Sequence, residues 1–126
     1  MRSVINISQA PKAVGPYSHA VKVGNLLFLS GQVGLDPATN ALVEGGIREQ
    51  TRQVMENLSV IIRESGFSLG DVVKTTCYLS DMNNFQAFNE EYAVYFGKIL
   101  PARETVEISR LPKDGLVEVS LICCAG

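Results

Sequence analysis

Histidine is almost absent from this sequence, which has one histidine, His19, in 126 residues. A metal site built on several histidines therefore lacks its ligands. The zinc-deaminase pattern, His-x-Glu with Pro-Cys-x-x-Cys, is also missing, because no two cysteines have that spacing. These absences argue against a metalloenzyme, and we expect no metal.

Cysteine is scarce as well, and its placement argues against a disulfide framework. The three cysteines are Cys77, Cys123 and Cys124, and the adjacent pair would point to opposite faces of a strand. Free thiols of this kind fit a reducing compartment.

Long apolar runs are missing too. Polar side chains interrupt residues 1–7 before a signal-peptide core could form, and no other run is long enough to span a bilayer. We therefore expect a soluble, cytoplasmic protein without a membrane partner, with mitochondria as the alternative compartment if the source is eukaryotic.

Charge of one sign is not concentrated anywhere in the chain. The formal net charge is -2 and there is no run of Lys or Arg, so nucleic acid is not the expected partner. The Gly45-Gly46 pair lacks the Lys-Ser/Thr that would hold phosphates and magnesium, which argues against a phosphate loop.

Hydrophobic residues make up 46% of the chain, enough at this length for one core but not for two. We therefore expect a single domain over residues 1–126. The predicted elements are, in order, a strand over 3–7, a hairpin of strands around Gly24-Asn25 whose second strand ends in Ser30-Gly31-Gln32, a helix from Gly46 to Gly66 with an apolar stripe on one face, a strand over 72–79, a helix from about Asp81 to Pro101, a strand from Arg103, and a strand over 116–123. The second helix has an aromatic face whose residues recur at helical spacing: Phe85, Phe88, Tyr92, Phe96 and Ile99. Cys77, within the strand over 72–79, is predicted to be a small buried residue.

This order predicts the fold class. Two helices that act as right-handed crossovers over one sheet must lie on the same face, which makes a two-layer α+β domain. The other face would carry either Leu26 and Phe28 or Leu27 and Leu29. Because an uncovered apolar face implies a partner surface, we expect a closed homo-oligomer.

Arg103 stands at the start of the strand that follows Pro101. An arginine there either caps a strand edge in solvent or binds an anion. Its guanidinium cannot act as a base, but it matches a carboxylate with two parallel hydrogen bonds.

Glu118 alternates with Leu116, Ser120 and Ile122 on the last strand. It is either a sheet-face glutamate paired with a cation or an acid/base residue that orients a water. One fixed cation and one carboxylate would suit hydrolysis of a small 2-imino or 2-oxo acid.

Two further residues are open to two interpretations each, and a third residue is a glycine. Tyr17, on a loop rich in Pro and Gly, is either a packing residue or part of a site, and Asn89 is either a solvated side chain or an amide at the edge of the aromatic face. Gly31 leaves a backbone amide approachable by a ligand.

Several separated motifs resemble the RidA/YjgF/YER057c family of reactive intermediate deaminases. They cover nearly the whole chain in order: Gly15-Pro16-Tyr17-Ser18, Ser30-Gly31-Gln32, Asp36-Pro37-Ala38-Thr39, Gln50-Thr51-Arg52-Gln53-Val54-Met55-Glu56-Asn57-Leu58, Val73-Lys74-Thr75-Thr76, Pro101-Ala102-Arg103 and Arg110-Leu111-Pro112-Lys113.

The resemblance implies a chorismate-mutase-like fold, a homotrimer with sheets around the three-fold axis, and a cleft between neighbouring subunits. It also implies a 2-iminobutanoate/2-iminopropanoate deaminase that clears imines and enamines released by pyridoxal-phosphate enzymes. Because a protonated imine is already electrophilic, such an enzyme needs to position it and a water, and no cofactor is expected.

By the same resemblance Arg103 would clamp the substrate carboxylate and Glu118 would orient the attacking water. The pocket would be lined by Tyr17, Ser30, Gly31, Asn89 and Thr105. Thr105 stands where many members have cysteine, His19 where they have glutamine, and Glu104 where serine is more usual.

Two other function classes stay open at this point. Some relatives carry the name endoribonuclease L-PSP or translation inhibitor, which makes a nuclease the alternative enzyme. The other hypothesis is a non-catalytic metabolite-binding or chaperone module.

Overall fold

A computed structural model describes all residues from Met1 to Gly126 as a mixed α+β structure with one six-stranded sheet. Its helices are α1 (Ile47–Glu64) and α2 (Phe85–Ala93). Its strands are β1 (Arg2–Ile5), β2 (Ala20–Val23), β3 (Leu26–Val33), β4 (Val72–Leu79), β5 (Ala102–Glu107) and β6 (Val117–Cys124). The strand order is β1-β2-β3-β6-β4-β5, and only the β4–β5 pair is parallel.

The predicted hairpin is confirmed. Strands β2 and β3 pair antiparallel around Gly24 and Asn25, and Gly24 has a φ of 58°, a conformation that glycine adopts without steric cost. Strand β3 runs on to Val33, one residue beyond the predicted end at Ser30-Gly31-Gln32. A bulge lies between Leu29 and Gln32, and the pairing with β6 resumes at Gln32.

Helix α1 also forms as predicted. Its apolar stripe is buried, and Gly66, with a φ of 84°, ends it after a last turn in which the Phe67 amide donates to the carbonyl of Ile62. The stripe alone did not reveal that Gln50 and Asn57 are buried too. Their side chains bond to the amide of Leu116 and the carbonyl of Leu35, which attaches the helix to its neighbours.

The second helix is shorter than its aromatic spacing predicts. It ends at Ala93. The chain then turns through backbone hydrogen bonds of the i→i+3 type, from the amides of Tyr95 and Phe96, and Gly97 has a φ of 60°. Phe88 and Tyr92 are buried, whereas Phe85 is 38% and Ile99 86% exposed, so the predicted row out to Ile99 is wrong. The aromatic and apolar residues keep their helical spacing in the sequence beyond Ala93, where the backbone leaves the helix.

The two faces of the sheet differ. The core side carries Leu27, Leu29, Cys77, Val119 and Leu121, which share one buried cluster with residues of both helices. The opposite side, called the open face below, carries Leu26 and Phe28 of β3 and Glu118, Ser120, Ile122 and Cys124 of β6. Valines 4 and 23 and Phe28 leave exposed apolar surface on it. Neither helix combines the length and the hydropathy that a membrane crossing requires.

Candidate functional site

Six of the residues singled out in the sequence line two separate cavities. One, called the arginine cavity, has a volume of about 250 Å³ and is lined by Asn89, Tyr92, Ala93, Leu100, Pro101 and Arg103. The other, called the glutamate cavity, has a volume of about 220 Å³, and Tyr17, Ser30, Gly31 and Glu118 are among its lining residues.

Strand β5 places Arg103 on the core side of the sheet. Arg103 lies opposite Thr75 of β4, whose side chain is buried beneath the helices. The guanidinium is therefore covered by α2, and its carbon lies 5.0 Å from the ring centre of Tyr92, 5.6 Å from that of Phe85 and 5.8 Å from that of Phe88. These are cation–π distances.

Arg103 has no carboxylate partner within the chain. Its one side-chain hydrogen bond runs from Nη1 to Oδ1 of Asn89, at 2.8 Å, and all five ion pairs in the structure involve other residues. A guanidinium carries five N–H donors, so most of this fork is free for a ligand. The arrangement can hold a small carboxylate by two parallel hydrogen bonds.

Thr105 lies two residues further along β5, on the same side as Arg103 and opposite Cys77. Its hydroxyl oxygen is buried and has no hydrogen-bond partner. Burial raises the pKa of the neighbouring Cys77 thiol, which keeps that thiol protonated and makes Cys77 a buried apolar residue, as its strand position predicted.

The glutamate cavity holds a carboxyl group without a partner. The side chain of Glu118 makes no ion pair and accepts no hydrogen bond within the chain, and burial raises its pKa. The interpretation of Glu118 as a sheet-face glutamate paired with a cation is therefore wrong for the isolated chain. A partly buried carboxyl with a raised pKa accepts a proton more readily than an exposed one does.

Gly31 is a glycine for a steric reason. A Cβ atom at this position would lie 2.8 Å from Cδ of Glu118, closer than real Cβ atoms approach other atoms. The bulge of β3 places Ser30 and Gly31 together across from Ser120, on the open face. The glycine thus leaves the space that the Glu118 side chain occupies.

Ser30 and Tyr17 tie the preceding loop to this cavity. The Ser30 hydroxyl donates to the carbonyl of Ser18 at 2.6 Å, which leaves its oxygen lone pairs available. The Tyr17 hydroxyl accepts a bond from the amide of Val14 at 3.3 Å, and the residue is 41% exposed. Both side chains can therefore face a ligand while they order the loop.

His19 lines neither cavity. It is 4% exposed, its Nδ1 accepts from the amide of Ile7 at 2.9 Å, and its Nε2 donates to the carbonyl of Pro11 at 2.7 Å. These two bonds require a neutral ring with its hydrogen on Nε2. His19 holds the loop whose Pro11 lines the glutamate cavity, so it acts on the site only through that loop.

Left-handed backbone follows one of the residues that line the glutamate cavity. Pro112 lines the cavity, and the next two residues, Lys113 and Asp114, have φ values of 60° and 56°. Left-handed backbone costs a non-glycine residue roughly 1–2 kcal/mol. Such strain is common at ligand sites.

Arg103 and Glu118 lie on opposite sides of one sheet. Arg103 is level with the buried Thr75, whereas Glu118 is level with Tyr78, an odd number of residues further along β4, and alternate strand residues face opposite sides. One chain brings Asn89 to Arg103, and Tyr17, Ser30 and Gly31 to Glu118, whereas Thr105 is on the same side of β5 as Arg103 but lines neither cavity. It does not bring the two charged groups together.

The rings around Arg103 were not predicted as part of the site. The helical spacing of Phe85, Phe88 and Tyr92 predicts only an aromatic face of the helix. Their position before Pro101-Ala102-Arg103 was the available signal, since β5 returns alongside the helix that precedes it. No group of three or more His, Cys, Asp or Glu side chains is placed to share a metal ion.

Known proteins resemble the chain along its whole length. The family model Endoribonuclease L-PSP matches residues 7–125. A RutC family protein of Pyrococcus horikoshii is 54% identical over 97% of this chain and 97% of its own length. The mouse protein named 2-iminobutanoate/2-iminopropanoate deaminase is 44% identical over 100% of this chain and 93% of its own length.

Solved structures show the same fold. A Thermotoga maritima protein described as a candidate endoribonuclease has a TM-score of 0.96 at 46% identity and covers 100% of this chain and 99% of its own. The Escherichia coli protein TdcF, solved with bound serine, has a TM-score of 0.94 at 34% identity and covers 98% of this chain and 99% of its own. Sequence and structure agree along the entire chain, and the chain belongs to the RidA/YjgF family, which the Endoribonuclease L-PSP model describes.

Proposed function

We propose that this protein is a cofactor-independent deaminase that hydrolyses small 2-imino acids, such as 2-iminobutanoate and 2-iminopropanoate, to 2-oxo acids and ammonia. The observation that carries the proposal is the guanidinium of Arg103, which is held by Asn89 and three aromatic rings and has no carboxylate partner of its own. A cation fixed in this way is an anchor for the carboxylate that every 2-imino acid carries.

The substrate class follows from size and charge. A cavity of about 250 Å³ with one arginine fits an acid of a few carbon atoms. The relative TdcF was solved with serine, a small molecule that also carries a carboxylate. Mammalian relatives named as deaminases of 2-imino acids support the same class for this chain.

In the proposed reaction the protonated imine binds through its carboxylate to Arg103. Glu118 accepts a proton from a water as the water oxygen forms a bond to the imine carbon. The resulting carbinolamine takes up that proton from Glu118 on its nitrogen. Its C–N bond then breaks as Glu118 removes the hydroxyl proton, so the C=O bond of the 2-oxo acid forms, and Glu118 passes this second proton to the departing ammonia, which leaves as ammonium. One water is consumed for each ammonium released, and Glu118 returns to its starting state.

We further propose that the working site lies between copies of the chain, in a homotrimer of the chorismate-mutase-like type. Arg103 and Glu118 face opposite sides of the sheet, so a single substrate can reach both only if they come from different copies. The open face, with Phe28 at 41% exposure, offers the apolar surface that such copies would bury.

A coupled assay tests the reaction. Threonine dehydratase generates 2-iminobutanoate, and the appearance of 2-oxobutanoate is followed with and without the protein. We expect the wild type to accelerate it, and Arg103→Ala to lose roughly 100-fold or more of that acceleration, the effect of removing a preorganised electrostatic contact. Arg63→Ala, which removes an exposed arginine at the end of α1, is the matched control and should keep full activity.

No acceleration by the wild type, or equal loss in both variants, would reject the deaminase proposal. The same preparations should be incubated with RNA. Cleavage that follows the protein through purification and survives Arg103→Ala would favour the nuclease instead.

Subunit mixing tests the shared site. Arg103→Ala and Glu118→Gln variants, each inactive alone, are unfolded and refolded together in equal amounts. If each site uses Arg103 of one copy and Glu118 of the next, about a quarter of the sites regain both groups, and about a quarter of wild-type activity returns. If both groups act within one chain, mixing restores nothing. Light scattering of the wild type should give three times the mass of the chain.

A further inference from the structure

We propose that Tyr92 is a positioning residue for Arg103: its ring holds the guanidinium in the plane in which the fork meets a carboxylate, and its hydroxyl, bonded to Thr75, fixes the ring. This inference rests on the proposed function of the arginine cavity, and it deepens it by naming what orients the anion anchor. The sequence analysis assigned Tyr92 only to an aromatic helix face.

The distances single out Tyr92 among the three rings. Its ring centre is 5.0 Å from the guanidinium carbon, against 5.6 Å for Phe85 and 5.8 Å for Phe88. Tyr92 also lines the arginine cavity, which neither phenylalanine does. It is 4% exposed, so its ring face is withdrawn from water, where attraction to a cation is strongest.

The ring itself is held in place from three sides. The Tyr92 hydroxyl lies 2.8 Å from the Thr75 hydroxyl in a buried hydrogen bond. Its ring packs at a tilt against those of Phe88 and Phe96, with centres 5.4 Å and 4.9 Å away. Burial raises the pKa of the hydroxyl, so it stays neutral and able to donate.

Thr75, which bonds to the Tyr92 hydroxyl, is also the neighbour of Arg103 in the sheet. Thr75 lies directly opposite Arg103 in the parallel pairing of β4 and β5. Thr75 therefore positions both groups: its hydroxyl bonds to the hydroxyl of Tyr92, and its backbone pairs with that of Arg103. A hydrogen bond of 2.8 Å between buried groups thus sets the height of the ring above the strand on which the guanidinium is carried.

This arrangement gives the guanidinium one orientation. Asn89 accepts one N–H at 2.8 Å, and the ring centre of Tyr92 lies 5.0 Å from the guanidinium carbon. Four N–H donors are left without a partner in the chain, beside the cavity that Asn89, Tyr92 and Arg103 line. Without the ring, the long arginine side chain would sample several rotamers, and the entropy lost on binding a carboxylate would rise.

The test measures binding of 2-oxobutanoate by calorimetry, which does not depend on turnover. We expect Tyr92→Leu to weaken the Kd roughly tenfold and Tyr92→Phe, which keeps the ring, to weaken it by about two- to threefold. The decisive variant is Tyr92→Leu made in an Arg103→Lys background. The lysine keeps the charge but has no plane to orient, so the leucine should change its Kd by less than about twofold.

Phe67→Leu is the matched control, because Phe67 is a buried ring of the same core that does not face Arg103. It should lower the melting temperature and leave the Kd of 2-oxobutanoate unchanged. A similar loss of affinity in this control, or a full tenfold loss for Tyr92→Leu in the lysine background, would overturn the positioning role.

The two proposals fail separately. If Arg103→Ala binds 2-oxobutanoate as the wild type does, the proposed function of the arginine cavity is wrong. If Arg103→Ala loses binding while Tyr92→Leu keeps it, the anion anchor stands and only the role of Tyr92 is rejected.

Discussion

The arginine cavity and the glutamate cavity are built from different kinds of structure. A helix and a strand form the first, and its cation is held by a hydrogen bond and packed rings. A loop, a bulge and a strained turn form the second, and its carboxyl has no partner. Arginine keeps its charge, so its guanidinium can be fixed rigidly. In the proposed function Glu118 must exchange a proton, which fits a side chain that has no partner within the chain and whose pKa is raised by burial.

Glu118→Gln should show the largest difference between the roles of the two cavities, because it should lower turnover without weakening ligand binding. Glutamine keeps the shape of the side chain but cannot take a proton, so we expect the rate of 2-iminobutanoate hydrolysis to fall roughly 100-fold or more. The Kd of 2-oxobutanoate should stay within about twofold of the wild type, because the anchor is Arg103. Loss of binding as large as that of Arg103→Ala would show that the cavities do not divide the work in this way.

Gly31→Ala should damage the glutamate cavity alone, with a smaller effect. The new methyl group would lie 2.8 Å from Cδ of Glu118 and must displace that side chain. We expect the turnover rate to fall roughly ten- to 100-fold, the cost of misplacing a catalytic group.

Gly70→Ala is the control for this substitution. A Cβ atom there would meet only Ser68 Oγ at an ordinary 3.7 Å, so activity should be unchanged. Normal turnover by Gly31→Ala would mean that the position of Glu118 is not critical.

Thr75→Val probes the arginine cavity through stability. Valine matches the shape of threonine but leaves the buried hydroxyl of Tyr92 without its partner. We expect the free energy of unfolding to fall by about 1–3 kcal/mol, measured by urea denaturation. Thr76→Val, one residue on and facing the open side, should change it by less than about 0.5 kcal/mol. Equal effects would mean that the Tyr92–Thr75 bond contributes nothing.

The pH dependence of stability should have opposite signs for two glutamates. Burial raises the pKa of Glu118, so the folded chain binds that proton more readily than the unfolded chain. The wild type then loses stability as pH rises from the ordinary carboxyl range through the raised value. Glu118→Gln removes this loss, so its free energy of unfolding should rise relative to that of the wild type over the same pH window.

Glu104 provides the opposite case. The hydrogen bond from Lys74 lowers its pKa, so this contribution to stability is lost as pH falls through the lowered value. The free energy of unfolding of Glu104→Gln should therefore fall relative to that of the wild type as pH rises from the lowered pKa of Glu104 through the ordinary carboxyl range. Urea denaturation at a series of pH values checks both signs, and parallel curves for the two variants would contradict them.

Local signals in the sequence were sufficient for most elements. The β2–β3 hairpin follows from Gly24-Asn25, and the end of α1 follows from Gly66, because each depends on the backbone of a few neighbouring residues. The end of α2 at Ala93 could not be predicted, since its aromatic spacing continues to Ile99 after the helix has stopped. Thr51 and Gln50 were likewise hidden, because their burial depends on what packs against α1.

The family, the order of the elements and the choice of Arg103 and Glu118 as the charged groups were all contained in the sequence, because they rest on residue identity and short-range pattern. Tertiary structure decided on which side of the sheet each group lies. The parallel pairing of β5 turns Arg103 toward the rings of α2, and the alternation of β6 turns Glu118 to the open face. Burial and strand register are sums over distant neighbours, and for that reason no local pattern encodes the raised pKa of Glu118 or the bond between Tyr92 and Thr75.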